Sequence, residues 1–184
     1  MKRNGVIVLS WLIFILLVLS FYHSYRSNRS EPPPIAVEDA NLTERLIISN
    51  EGVRRSAYRD TQGNLIIGVG HKITGNEKTR RTLSDAQVMT LLRSDIEKAQ
   101  TFAKSVFPEE WEGISVVRQA VITDMIFNLG TGGFLDFEHF IANVRRSDWH
   151  AAANSLLQSL AARQNPKRYQ RNAEALRSNT LSIE

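Results

Sequence analysis

The stretch Asn50-Glu51-Gly52-Val53-Arg54-Arg55-Ser56-Ala57-Tyr58-Arg59-Asp60-Thr61-Gln62-Gly63-Asn64-Leu65-Ile66-Ile67-Gly68-Val69-Gly70-His71 decides the fold. Just upstream, Asn41-Leu42-Thr43-Glu44 has the form of a capping box, with a side-chain cap and a glutamate three positions on. The spacing predicts a helix over 42–50, with Leu42, Leu46 and Ile47 on its apolar side and a stop at Gly52. Glu51 then falls at the carboxyl end of that helix. Ser56 to Arg59 and Leu65 to Val69 read as short strands flanking the turn Asp60-Thr61-Gln62-Gly63-Asn64. Gly68, Gly70 and Gly75 argue for tight backbone geometry afterwards.

Everything later reads as helical. Ser84-Asp85-Ala86-Gln87 is a second capping box, opening a helix to about Val106. Ser115 opens a helix with Val117, Ala120, Val121, Met125 and Ile126 on its apolar face, stopping at Gly130, with Gly132 and Gly133 in the following turn. Two more helices are expected over Phe134 to Val144 and Asp148 to Ala162, the second capped by Ser147. Pro166 precedes a final basic helix from Lys167 to Arg177. The fold class is α+β: a small β-hairpin lobe beside a larger helical lobe, with a cleft between them that suits a polymer chain.

At 184 residues there is room for one ordinary domain and an appendage. With no cysteine, the chain has no disulfide framework, no thiolate metal site and no thiol nucleophile. A net charge of +4 favours anionic partners without choosing among them. Gly5 to Tyr22 (GVIVLSWLIFILLVLSFY) is uncharged and apolar on every face, approaching the length needed to cross a bilayer. It reads as a transmembrane signal anchor over residues 5–23. Residues 1–4 would be cytoplasmic, 24–38 a Ser/Arg/Pro-rich linker with Pro32-Pro33-Pro34, and 39–184 the folded domain. The competing reading is a cleaved signal peptide. Its apolar region is normally shorter, and Phe21-Tyr22-His23-Ser24-Tyr25-Arg26 offers no small-x-small cleavage site.

Glu51 and Asp60 stand nine positions apart. A helix-end carboxyl among apolar neighbours can remain protonated and deliver a proton, while a solvated turn carboxylate can orient water. Two carboxylates facing a groove are the minimum equipment for cleaving a glycosidic bond. On their own, the two residues are equally well an ordinary helix end and an ordinary turn former.

The flanking residues are more specific. Glu51-Gly52, Tyr58-Arg59-Asp60-Thr61, Gly63 and Ile67-Gly68-Val69-Gly70-His71 form the pattern E-G-(x)5-Y-x-D-x-x-G-(x)3-I-G-x-G-H. It resembles the phage-type lysozymes of glycoside hydrolase family 24, endolysins that cut peptidoglycan. Met125-Ile126-Phe127-Asn128-Leu129-Gly130, Phe134, and Pro166 with Arg168, Arg171 and Glu174 extend the resemblance over 42 to about 180. The resemblance implies that Glu51 is the general acid and that Asp60 places the attacking water. The bond cut is that between N-acetylmuramic acid and N-acetylglucosamine. It implies that Asn128 lines the cleft, that Arg168 and Arg171 bind acidic peptide stems, and that His71 is the buried partner of a carboxylate.

One position departs from the family. Where the family carries a water-positioning Thr, this chain has Ile66, which shares a strand face with Asn64 and Gly68; the resemblance implies that this face looks into the substrate cleft. Isoleucine has no hydrogen-bonding group. Three outcomes stay open: hydrolysis with water held by Asp60, transfer of the glycan to another acceptor, or binding without cleavage. No cofactor and no metal are expected, and no nucleic-acid partner, because no phosphate loop, ligand spacing or groove-reading basic element occurs. The expected protein is a monomer acting on peptidoglycan from the inner membrane, single-pass, with its domain in the periplasm.

Overall fold

The computed structural model describes residues 41–60, 63–74 and 82–183. The expected anchor at 5–23, the linker at 24–38 and turn residues 61–62 lie outside these. Among the described residues, no helix is long and apolar enough to cross a membrane.

The first helix, α1, spans Leu42–Glu51 and opens on the expected capping box. Asn41 Oδ1 accepts from the Glu44 amide at 3.0 Å, and Glu44 Oε2 accepts from the Asn41 amide at 3.1 Å. The other Glu44 oxygen accepts from Arg93 Nε at 2.9 Å, so one buried carboxylate both caps α1 and ties it to the next helix. Gly52, at φ 68°, ends α1 immediately after Glu51.

The sheet has three antiparallel strands in the order β1 (Arg54–Arg59), β2 (Leu65–Gly68), β3 (His71–Lys72). The sequence predicts only the hairpin. β3 is two residues long, too short to show a period, and exists because Gly68 and Gly70 both take positive φ and turn the chain back on itself. Tyr58 pairs with Ile66, and Ile66 with Lys72.

Helix α2 (Asp85–Val106) starts at its predicted capping box. After a short 3-10 turn at Trp111–Gly113 comes α3 (Val116–Leu135), capped by Ser115 and broken at Gly130 (φ 71°, ψ 171°). The stop predicted at Gly130 is therefore a kink, after which the chain resumes helix through Phe134. Helix α4 spans Glu138–Arg145, later than predicted. The single helix expected from Asp148 to Ala162 is two, α5 (Trp149–Leu157) and α6 (Leu160–Gln164). Their caps are Asp148 and Ser159, each accepting from a backbone amide three residues on. Ser147, the expected cap, instead takes the left-handed backbone, at φ 56°. Helix α7 (Pro166–Ser178) begins with Pro166 in its first turn and is capped by Asn165.

The core lies among the helices. Phe134, fully buried, is its aromatic hub, meeting Phe102, Phe107 and Phe140 edge-on at 6.3, 6.4 and 6.1 Å between ring centroids. Around it pack Leu46 of α1, Val121 and Met125 of α3, Leu156 of α5 and Leu176 of α7. This packing brings the carboxyl end of α1, the middle of α3 and the first turn of α7 to one place.

The capping box gives the first test. Asn41→Ala removes one reciprocal pair and is expected to destabilise the domain by about 1 kcal/mol, read as a lowered thermal midpoint.

Candidate active site

Glu51 is the last residue of α1, with its side chain 23% exposed. Asp60 follows the end of β1. Both line one cavity of about 230 Å³ with Tyr58, Ile66, Gly70, Phe127 and Asn128. The two sequence-predicted carboxylates thus meet across a single cleft, one from the helical side and one from the sheet.

Each carboxylate is held. Arg168 Nη1 donates to Glu51 Oε1 at 2.7 Å. A cation therefore stands beside the carboxyl, in a cavity that Ile66 and Phe127 also line. Asp60 is fastened to its own turn: Oδ1 accepts the Asn64 amide and Oδ2 accepts Asn64 Nδ2, both at 2.8 Å. The Asp60 amide donates to the Asn64 carbonyl at 3.0 Å, closing the hairpin. Gly70 borders the cavity beside Glu51 in a left-handed backbone that favours glycine. It sits at φ 72°, and a Cβ there would lie 3.5 Å from both Glu51 Oε2 and Phe127 Cε1.

Ile66 is 8% exposed and presents its side chain to this cavity. The side chain of residue 66 therefore offers the cavity no hydrogen-bonding group. Asn128 lines the cavity too, and its Oδ1 accepts from the Tyr169 hydroxyl at 3.3 Å. Burial pushes the Tyr169 phenol above its ordinary range, with buried Asp124 adding to the rise and Arg168 opposing it.

Neither of the two arginines expected at the substrate lines this cavity. Arg168 is 4% exposed and also grips Asp124, through Nε at 3.0 Å and Nη2 at 2.7 Å. Burial works against its charge, but Asp124 and Glu51 outweigh that effect and hold the guanidinium above its ordinary value. Arg171 Nη2 donates to Asn50 Oδ1. His71 Nδ1 lies 2.5 Å from Asp95 Oδ2, and Asp95 Oδ1 accepts from Lys98 at 2.9 Å.

Several residues of the site were not singled out from sequence. Asn64 passes as a turn former and turns out to hold Asp60. Asp124 carried a readable signal, a carboxylate inside the apolar run Val121–Ile126, which a core tolerates only when it is paired. A larger cavity of about 900 Å³, lined among others by Phe137, His139, Asn143, Ser155 and Gln158, lies in the helical lobe and shares no lining residue with the first. No cluster of acidic or histidine ligands for a metal occurs among the described residues.

A mainly helical α+β domain with a helix-end glutamate and a turn aspartate in one cleft has the architecture of a lysozyme-like glycoside hydrolase. The sequence profile of the phage lysozyme family matches residues 48–174, and the chain belongs to that family. Similar proteins include "Probable T4-type lysozyme 2" of Dictyostelium discoideum, 23% identical over 155 residues, covering 72% of this chain and 91% of the relative. "Probable T4-type lysozyme 1" of the same organism is 22% identical over 156 residues, 72% of this chain and 92% of that protein. The "Pre-baseplate central spike protein Gp5" of Enterobacteria phage T4 is 27% identical over 133 residues, 58% of this chain but only 22% of the spike protein.

Two tests follow from this geometry. Gly70→Ala forces a side chain into left-handed backbone against Glu51, and is expected to cost about 1–2 kcal/mol in denaturant melts and to lower turnover. Tyr169 has its folded pKa raised, so its contribution to stability is present below the unfolded value of about 10 and is lost as pH rises through the folded value. Tyr169→Phe is expected to flatten the loss of stability as pH rises above about 10, measured by urea melts.

Proposed function

We propose that this protein is a membrane-anchored muramidase, hydrolysing the bond between N-acetylmuramic acid and N-acetylglucosamine in peptidoglycan. The observation that carries the reading is the convergence of Glu51 and Asp60 on one cavity in a chain of the phage lysozyme family. Glu51 gives its proton to the glycosidic oxygen as the bond from that oxygen to the muramic-acid C1 breaks. Asp60 takes a proton from a water molecule whose oxygen bonds to C1. One water is consumed: one of its protons stays with its oxygen on C1, and the other returns through Asp60 and solvent to Glu51, replacing the proton given to the departing hydroxyl. Asn128 and Tyr58 bind the glycan beside the carboxylates.

The anchoring half of the proposal rests on Gly5 to Tyr22 in the sequence. It places the domain in the periplasm on a tether from the inner membrane. The Leu- and Ile-rich run, with one Gly and no Ala, favours a retained anchor over a releasable one. Fractionation tests it: the chain should pellet with inner membranes and resist high salt, and a mature form in the soluble periplasm would contradict it.

Ile66 supports a second reading. With no hydroxyl at that position, the cleft has one fewer group to hold the attacking water, which favours slow hydrolysis, transfer of the glycan to another acceptor, or binding without cleavage. Release of muropeptides from purified sacculi separates cleavage from binding alone. Wild-type protein should release them and Glu51→Gln should not; Ile66→Thr should raise turnover by up to about 10²-fold. Sacculus binding with no release by wild type would favour the binding module.

A further inference from the structure

Asp124 sits in the middle of α3 and is 0% exposed. A carboxylate in such a place persists only when paired and fully hydrogen-bonded. Its Oδ1 accepts from Asn50 Nδ2 and Arg168 Nη2, both at 2.7 Å. Its Oδ2 accepts from Arg168 Nε at 3.0 Å and Asn172 Nδ2 at 2.8 Å. These bonds use the carboxylate's acceptor directions and fix the plane of the guanidinium, because two of its N–H groups are gripped at once. Arg168 Nη2 also reaches the Asp124 carbonyl at 3.2 Å. With that edge clamped, Nη1 is the donor left to meet Glu51 Oε1 at 2.7 Å.

Asn50 makes a second route. It precedes Glu51 in α1, donates to Asp124 and accepts from Arg171. That second route braces only the α1 backbone; the Glu51 carboxyl is reached through Arg168.

We infer that Asp124 is the positioning residue for the proton donor: by orienting Arg168 it fixes the rotamer of Glu51 and commits Oε1 to the guanidinium. Oε2, on the Gly70 side where the cavity opens, is then the oxygen that carries the transferable proton. This rests on the muramidase reading for its catalytic consequence, and on the geometry alone for the placement of Glu51. Asp124 touches no substrate; it acts through Arg168.

The test uses the full-length chain as wild type, Asp124→Asn, Arg168→Gln and the double variant. Each is assayed for turnover of purified peptidoglycan, thermal midpoint and the carbon-13 resonance of the Glu51 carboxyl. The resonance is assigned by its disappearance in Glu51→Gln. Asp124→Asn is expected to lower kcat roughly 10- to 100-fold with KM within about 2-fold, because placement and not glycan binding is lost. In the Arg168→Gln background, the same substitution should cost less than about 2-fold more, since the partner it acts through is gone. Native kcat in folded Asp124→Asn, or losses that multiply in the double variant, would overturn the inference. If Asp124→Asn does not fold, Asn172→Ala removes one donor to the same carboxylate and keeps both charges. It should lower kcat roughly 3-fold at unchanged KM, and an unchanged kcat there would overturn the inference. An inactive wild type would sink the muramidase reading and leave placement to the resonance. A Glu51 signal that shifts in Asp124→Asn or Asn172→Ala supports the inference, and one that stays put in both overturns it.

Discussion

Arg168 brings a positive charge to a site where it is only 4% exposed, and carboxylates from two other helices answer it. The rest of the site depends on that arrangement. Asp124 of α3 takes one edge of the guanidinium and Glu51 of α1 takes the remaining corner, so α1, α3 and α7 are joined at a single planar group. Breaking such a cluster by removing one charge typically costs about 3–5 kcal/mol, whereas replacing the whole cluster by well-packed apolar groups is often neutral. What the cluster supplies beyond stability is geometry: the last residue of α1 is held at the cleft by a fixed donor.

The two walls of the cleft are held in different ways. The helical wall is braced by long-range bonds from Glu51 through Arg168 to Asp124. The sheet wall is braced locally, by Asn64 gripping Asp60 within one turn. In the same cavity, Ile66 contributes carbon only. Ordered buried water commonly makes about three hydrogen bonds, and at this wall residue 66 supplies none of them. On the proposed muramidase reading, proton delivery is the better furnished half of the chemistry, and water placement the sparser half.

Much of this was readable in the residues because it is local. Capping boxes at Asn41 and Ser84, the stop at Gly52 and the turn at 60–64 each follow from neighbours a few positions apart, and each of the two helices begins where its box predicts. The carboxylate pair and Ile66 were legible through the same short string. The misses are of a different kind. β3 is too short for periodicity, and the break between α5 and α6 comes where Ser159 caps a new helix inside an apolar pattern that runs on. Arg168, expected at the peptide stems of the substrate, instead pairs with Asp124 and Glu51, which lie 44 and 117 positions away. No short-range pattern reports contacts of that range; only the odd carboxylate at 124 in an apolar run hinted at them.

We propose that Glu51 and Asp60 cut a glycosidic bond with water as the acceptor. The decisive experiment is digestion of purified peptidoglycan by the full-length chain in heavy-oxygen water, followed by mass spectrometry of the released muropeptides. New reducing ends should each carry one solvent oxygen, and Glu51→Gln should yield none. Products without solvent oxygen, or no products at all from the wild-type chain, would contradict it.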